Sequence, residues 1–137
     1  MNKNSLAYQT IGCAMEVYKT LGPGLLESVY QKALLKELDY CGIRAEMEVP
    51  INVLYRGEKL DAAFRMDILV EDILVLELKS VSKLEDIHYK QLLNYLILAD
   101  KPLGYLINFN VPIFLLGKGY DKIRNLRYNH TIPDWLI

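Results

Sequence analysis

The sequence predicts an α+β fold, an α/β sandwich in which a central mixed β-sheet is flanked by helices. Apolar residues recur at helical spacing in two N-terminal segments and again around residue 90. Between these segments the period drops to two. The later strands of that region are apolar on both faces, which requires helices over each side of the sheet.

In the first segment, Ala7, Ile11, Ala14, Met15 and Tyr18 form one stripe, and Asn4 or Ser5 ahead of them can cap it, so a helix is predicted over Ser5 to Thr20. Gly22-Pro23-Gly24 breaks it. A second helix is predicted from near Leu25, with Leu26, Val29, Tyr30, Ala33, Leu34 and Leu38 as its stripe and Gly42 as its stop. From Met47 the odd positions to Tyr55 are apolar, while Glu46, Glu48 and Asn52 face the other way, a half-buried strand. Pro50 has no amide to donate, which places this strand at a sheet edge or at a bulge. Arg56-Gly57-Glu58 turns the chain into a strand ending Phe64 to Val70, and Glu71-Asp72 turns it into a third, Ile73 to Ser80, an antiparallel meander. Helical spacing returns from Glu85 to Asp100 and stops at Asp100-Lys101-Pro102. Gly104 to Phe109 reads as a strand, and Val111 to Leu116 and Lys122 to Tyr128 are each strand-like.

The 137 residues, 52% hydrophobic and 24% charged, suit a single domain spanning 1–137 and exclude disordered and low-complexity chains. Two cysteines, Cys13 and Cys41, are too few for a disulfide scaffold or a four-cysteine metal site, and are expected to be small buried residues. No signal peptide and no membrane span is evident, so a cytoplasmic location is expected. Net charge is −1, but from Lys101 onward five basic residues face two acids. That basic tail, with Tyr120 and Tyr128 for stacking, suits either a phosphate backbone or plain solvent.

Charges set in an apolar strand need partners or a metal. In Leu74-Val75-Leu76-Glu77-Leu78-Lys79 the glutamate and lysine project from one face. Asp67 lies on the preceding strand, and parity decides whether it joins them. A two-residue turn sets Asp67 opposite Leu76, whereas a three-residue loop centred on Asp72 sets it opposite Glu77. The odd count is predicted. Two carboxylates so placed repel each other and favour a divalent cation between them, Mg²⁺ or Mn²⁺ at ~2.0–2.1 Å with waters completing the shell. Lys79 on the same face then orients or helps deprotonate an attacking water, or steadies developing negative charge.

Asp67 followed by Glu77-Leu78-Lys79 resembles the Asp…Glu-x-Lys core of the PD-(D/E)XK nuclease superfamily, although Met66 stands where that pattern has proline. Gly24-Leu25-Leu26-Glu27-Ser28-Val29-Tyr30 is similar to the signature of the GxxExxY protein family, and Gln91-Leu92-Leu93-Asn94-Tyr95 to the QxxxY helix motif of RecB-like nucleases. The resemblance implies a restriction-endonuclease-like core with two N-terminal helices. It implies Asp67 and Glu77 as metal ligands, Lys79 as the catalytic lysine, Glu27 as an acid beside the metal, and Gln91 and Tyr95 as a helical face framing the site. His88, one turn before Gln91, is a minor candidate for contacting substrate or metal.

The function so implied is Mg²⁺-dependent hydrolysis of nucleic acid, DNA before RNA; a 137-residue core has little room for a recognition domain, so a homodimer or a place in a larger DNA-processing complex is expected. The rival is a noncatalytic nuclease-like module that binds nucleic acid or a protein partner. Each residue also has a plainer role: Glu77 and Lys79 as an ion pair on an edge strand, Asp67 as a solvent contact near a turn, Glu27 as a helix-dipole acid, Gln91 and Tyr95 as core-edge residues.

Overall fold

The computed structural model describes residues 2–137, without the side chains of 61–63. Three helices, α1 (Leu6–Leu21), α2 (Glu27–Tyr40) and α3 (Asp86–Ala99), pack on five strands: β1 (Ala45–Tyr55), β2 (Glu58–Val70), β3 (Leu74–Lys79), β4 (Leu103–Asn108) and β5 (Tyr120–Arg124). The strands lie side by side in chain order, antiparallel except where β3 and β4, joined through α3, run parallel. The sheet is therefore mixed, and β3 is its central strand.

Both faces are covered, as the doubly apolar strands require. Leu74, Leu76, Leu78, Tyr105 and Ile107 join one core with Ala14, Val17, Tyr30 and Leu34 of α1 and α2. Leu69, Val75 and Leu106 join another with Leu92, Tyr95 and Leu96 of α3. Gly104 lets α3 approach closely, because a Cβ there would lie 3.0 Å from the Val75 carbonyl and 3.1 Å from Leu92.

Ser5 caps α1 by accepting the Tyr8 amide at 3.2 Å, and the carbonyls of Trp135 and Leu136 accept the amides of Leu6 and Ala7. The C-terminal residues thus satisfy donors that a helix start leaves free. Beyond the far end of α1, Tyr30 of α2 holds the Gly22-Pro23-Gly24 break in place. Its hydroxyl donates to the Gly22 carbonyl at 2.5 Å and accepts the Leu25 amide at 3.1 Å, while its ring stacks on Phe109 at 4.4 Å.

β1 is an edge strand, which accommodates the missing amide of Pro50, and its register shifts just beyond, between Ile51 and Val53. The β1–β2 turn is only Arg56-Gly57, both at positive φ, since Glu58 already pairs with Tyr55.

Three expectations need correction. Val111 to Leu116 forms no strand: Phe114 turns inward to pack on Tyr18, Phe109 and Tyr120, and the following strand covers Tyr120 to Arg124 rather than Lys122 to Tyr128. Tyr120 is accordingly tied up in that cluster, and Tyr128 packs edge-on against His130. Cys41 is exposed at the end of α2, with its Sγ 3.5 Å from that of buried Cys13, whose thiol burial pushes up to about 12. Among the described residues no helix is long and apolar enough to cross a membrane.

Candidate functional site

The β2–β3 loop has three residues, Glu71-Asp72-Ile73, because Val70 pairs with Leu74 and the register continues through Leu69↔Val75 and Ile68↔Leu76. The next position along sets Asp67 opposite Glu77. There the backbone ladder stops and the two side chains replace it. Glu77 Oε1 accepts the Asp67 amide at 3.1 Å, and Asp67 Oδ2 accepts the Leu78 amide at 2.8 Å. Each carboxyl group is thus bonded to the backbone of the other's strand, and the Asp67 charge acts directly on Glu77.

The environment is hostile to two negative charges. Glu77 is only 4% exposed, and burial, followed by the Asp67 charge, pushes its carboxyl up to about 8. Burial likewise raises Asp67, with the Leu78 amide and Lys79 opposing and Glu48 and Glu27 adding to the rise. Neither carboxylate has a salt bridge among the described residues. Glu77 and Lys79 are thus not an exposed pair on an edge strand, for β3 is central and Glu77 is buried.

Lys79 instead donates from Nζ to Gln91 Oε1 at 3.3 Å, and Gln91 Nε2 donates to the Tyr95 hydroxyl at 3.0 Å. Since Gln91 and Tyr95 are four apart on α3, one helix face carries both links. Burial and then the Glu77 charge raise the Tyr95 hydroxyl, which ties this relay electrostatically to the carboxylates. His88 is otherwise engaged: its Nδ1 accepts the Glu85 amide at 2.9 Å in a capping box at the start of α3.

Glu27, the first residue of α2, is exposed and reaches the pair through its charge on Asp67. Ser80 Oγ, just past β3, donates to the Leu25 carbonyl at 2.6 Å, which brings the start of α2 to the end of the strand bearing Lys79. Tyr30, three residues beyond Glu27, packs in the core against the sheet rather than beside the carboxylates.

Two participants escape the sequence pattern. Glu48 sits at φ 55°, between Met47↔Ile68 and Val49↔Met66, opposite Asp67 on its other side. At this row the alternation of faces breaks: Ile68 and Val70 pack in the α1–α2 core, but even-numbered Met66 packs in the α3 core. Gln31 of α2 spans the break, donating through Nε2 to Glu48 Oε1 at 2.8 Å and to the Asp67 carbonyl at 3.0 Å. Nothing in the period-two pattern separates Glu48 from Glu46, and Gln31 is one polar residue on an amphipathic helix.

The donor set suits a hard divalent cation. Among the described residues no group of three or more His, Cys, Asp or Glu converges. Asp67 and Glu77 still present one oxygen each beyond those engaged by amides, in a buried setting that penalises bare negative charge. Mg²⁺ commonly takes only one or two carboxylates and keeps several waters, so two suffice.

A family model described as the PD-(D/E)XK nuclease superfamily matches residues 4–118, and the three helices on a mixed sheet are consistent with its restriction-endonuclease-like fold. No curated protein and no solved structure matches the chain.

Proposed function

Because the chain belongs to the PD-(D/E)XK nuclease superfamily, whose members generally hydrolyse phosphodiester bonds and typically use Mg²⁺ or Mn²⁺, we propose that it is a metal-dependent nuclease acting on DNA. The observation that carries this reading is the Asp67–Glu77 pair, two carboxylates each bonded to a backbone amide of the facing strand, partly or wholly buried and without a salt bridge among the described residues, with Lys79 on the same strand face two residues on from Glu77. Asp67 and Glu77 would hold the cation. When bound, it supplies positive charge beside the phosphate and makes nearby water a better acid.

The chain's own residues do the rest. Lys79, steadied by Gln91, orients the attacking water or offsets negative charge growing on the phosphate oxygens. Tyr95 fixes the far end of Gln91, and Glu27 adds negative charge at the mouth of the site. Gly24, Glu27 and Tyr30, with Gln91 and Tyr95, support placing the chain near GxxExxY proteins and RecB-like nucleases.

The test is incubation of the purified protein with linear, plasmid and single-stranded DNA, in Mg²⁺ or Mn²⁺ against EDTA. Cleavage is expected with metal only, and Asp67→Ala or Lys79→Ala is expected to lower it at least about 100-fold. Cleavage that persists in either variant rules the mechanism out.

A further inference from the structure

A cleft of about 640 Å³ opens beside Lys79, walled by Phe64 of β2 and by Ile87, Lys90, Asn94, Tyr95 and Leu98 of α3. Its volume falls in the range of clefts that bind small organic groups, about 300–1,000 Å³. Phe64 is 43% exposed, and its ring meets the Tyr95 ring at 5.8 Å with a 47° tilt. Ile87 and Leu98 are exposed as well, so the apolar wall faces solvent next to the candidate catalytic lysine.

Its polar members among the described residues are not acids. Among the described residues Lys79 and Lys90 bring positive charge and no carboxylate lines the cleft, whereas the carboxylate pair lies near Lys79. Asn94 is exposed and makes no side-chain hydrogen bond among the described residues, leaving both an acceptor and a donor available. An aromatic platform, a neutral group that can both give and take hydrogen bonds, and flanking cations together suit a flat heteroaromatic ring attached to a phosphate chain.

We propose that this cleft holds one unstacked nucleobase of the substrate strand, placed on Phe64 with its edge on Asn94, while Lys90 meets the adjoining phosphate. The proposal rests on the reading of the neighbouring centre as a nuclease, and it makes the substrate single-stranded or locally unpaired. A base within a duplex is stacked on both sides and cannot enter. Phe64 is then a specificity-determining residue rather than a catalytic one.

The test uses the full chain in EDTA, so that binding is read without turnover. A short single-stranded DNA carrying 2-aminopurine, and the blunt duplex of the same sequence, are titrated by anisotropy and by 2-aminopurine fluorescence. The single strand is expected to bind more tightly than the duplex, with the fluorophore quenched. Phe64→Ala is expected to weaken single-strand binding at least about fivefold, the low end for one base–aromatic stack, and Phe64→Trp to restore it. If Phe64→Ala does not melt cooperatively, Asn94→Asp takes its place: it alters an exposed side chain, puts negative charge in the cleft and is expected to weaken the single strand similarly.

Equal affinity for both DNA forms, insensitive to these substitutions, overturns the proposal. So does a wild-type dimer that Phe64→Ala dissociates without changing DNA affinity, which would assign the cleft to a second copy of the chain. Cleavage assayed separately in Mg²⁺ keeps the two readings apart. Phe64-dependent single-strand binding without any cleavage removes the nuclease and leaves the base pocket. Cleavage indifferent to strandedness and to Phe64 does the reverse.

Discussion

Lys79 on β3 and Gln91 on α3 are joined in one direction only. An ammonium group can donate but not accept, so Gln91 must turn its oxygen to Lys79 and its amide nitrogen to the Tyr95 hydroxyl, as the 3.3 Å and 3.0 Å contacts show. Gln91 is in this sense a positioning residue for Lys79.

Gln91→Ala is therefore expected to lower the kcat of DNA cleavage about tenfold, with KM and melting temperature nearly unchanged, since a lysine free to swing loses orientation but not charge. Tyr95→Phe, which leaves Gln91 in place, is expected to cost less. Steady-state kinetics on both variants, with thermal melts as the control, decide it. An unaltered kcat in Gln91→Ala would show that Lys79 needs no such support.

Burial and then the Asp67 charge push the Glu77 carboxyl from an ordinary 4.5 up to about 8 in the folded chain. A carboxyl raised in this way keeps its proton in the folded state while the unfolded chain gives its own up. Its contribution to stability is thus whole below about pH 4.5 and is lost as pH rises through about 8. Asp67 shifts in the same direction. In EDTA, Glu77→Gln is expected to melt close to wild type near pH 4.5 and above it near pH 8.5, by about 5 °C. Added Mg²⁺ is expected to raise the wild type alone and so to narrow the gap. Parallel melts of the two proteins across pH read this directly, and a variant no more stable at alkaline pH would count against buried, repelling carboxylates.

Tyr30→Phe removes one hydroxyl and leaves the stack on Phe109 intact. The Gly22 carbonyl and the Leu25 amide lose their shared partner, and a loss of about 1–2 kcal/mol is expected in urea unfolding. Glu27 follows that loop by only two residues. Cleavage is expected to fall further than global stability explains, measured at a temperature where both proteins are fully folded. Activity that tracks the folded fraction alone would confine Tyr30 to packing.

Much of this arrangement is legible in the residues because it rests on short-range rules. Ser5 reads as a cap and is one, and doubly apolar strands call for helices on both faces and have them. The loop parity that sets Asp67 beside Glu77 follows from the requirement that two charges in apolar strands share a face. What stays hidden is non-local or depends on backbone torsion. Left-handed Glu48 has no glycine or asparagine to signal it, and Gln31 matters only because α2 lies across that break. The segment Val111 to Leu116 has strand-like composition, but Phe114 enters an aromatic cluster with Tyr18, Phe109 and Tyr120, a non-local contact that local composition does not signal.

The parallel pairing of β3 with β4 makes α3 the connection between them, so Glu77, Lys79, Gln91 and Tyr95 all belong to one crossover unit. Asp67 alone of the central group arrives from outside, on a hairpin. The centre thus divides into a half assembled by local chain closure and a half delivered by sheet registration. Lesions in the β1–β2 hairpin would displace Asp67 while leaving the lysine and its supports assembled, and a slip of one residue at the Glu71-Asp72-Ile73 loop would separate the two carboxylates without unfolding the crossover.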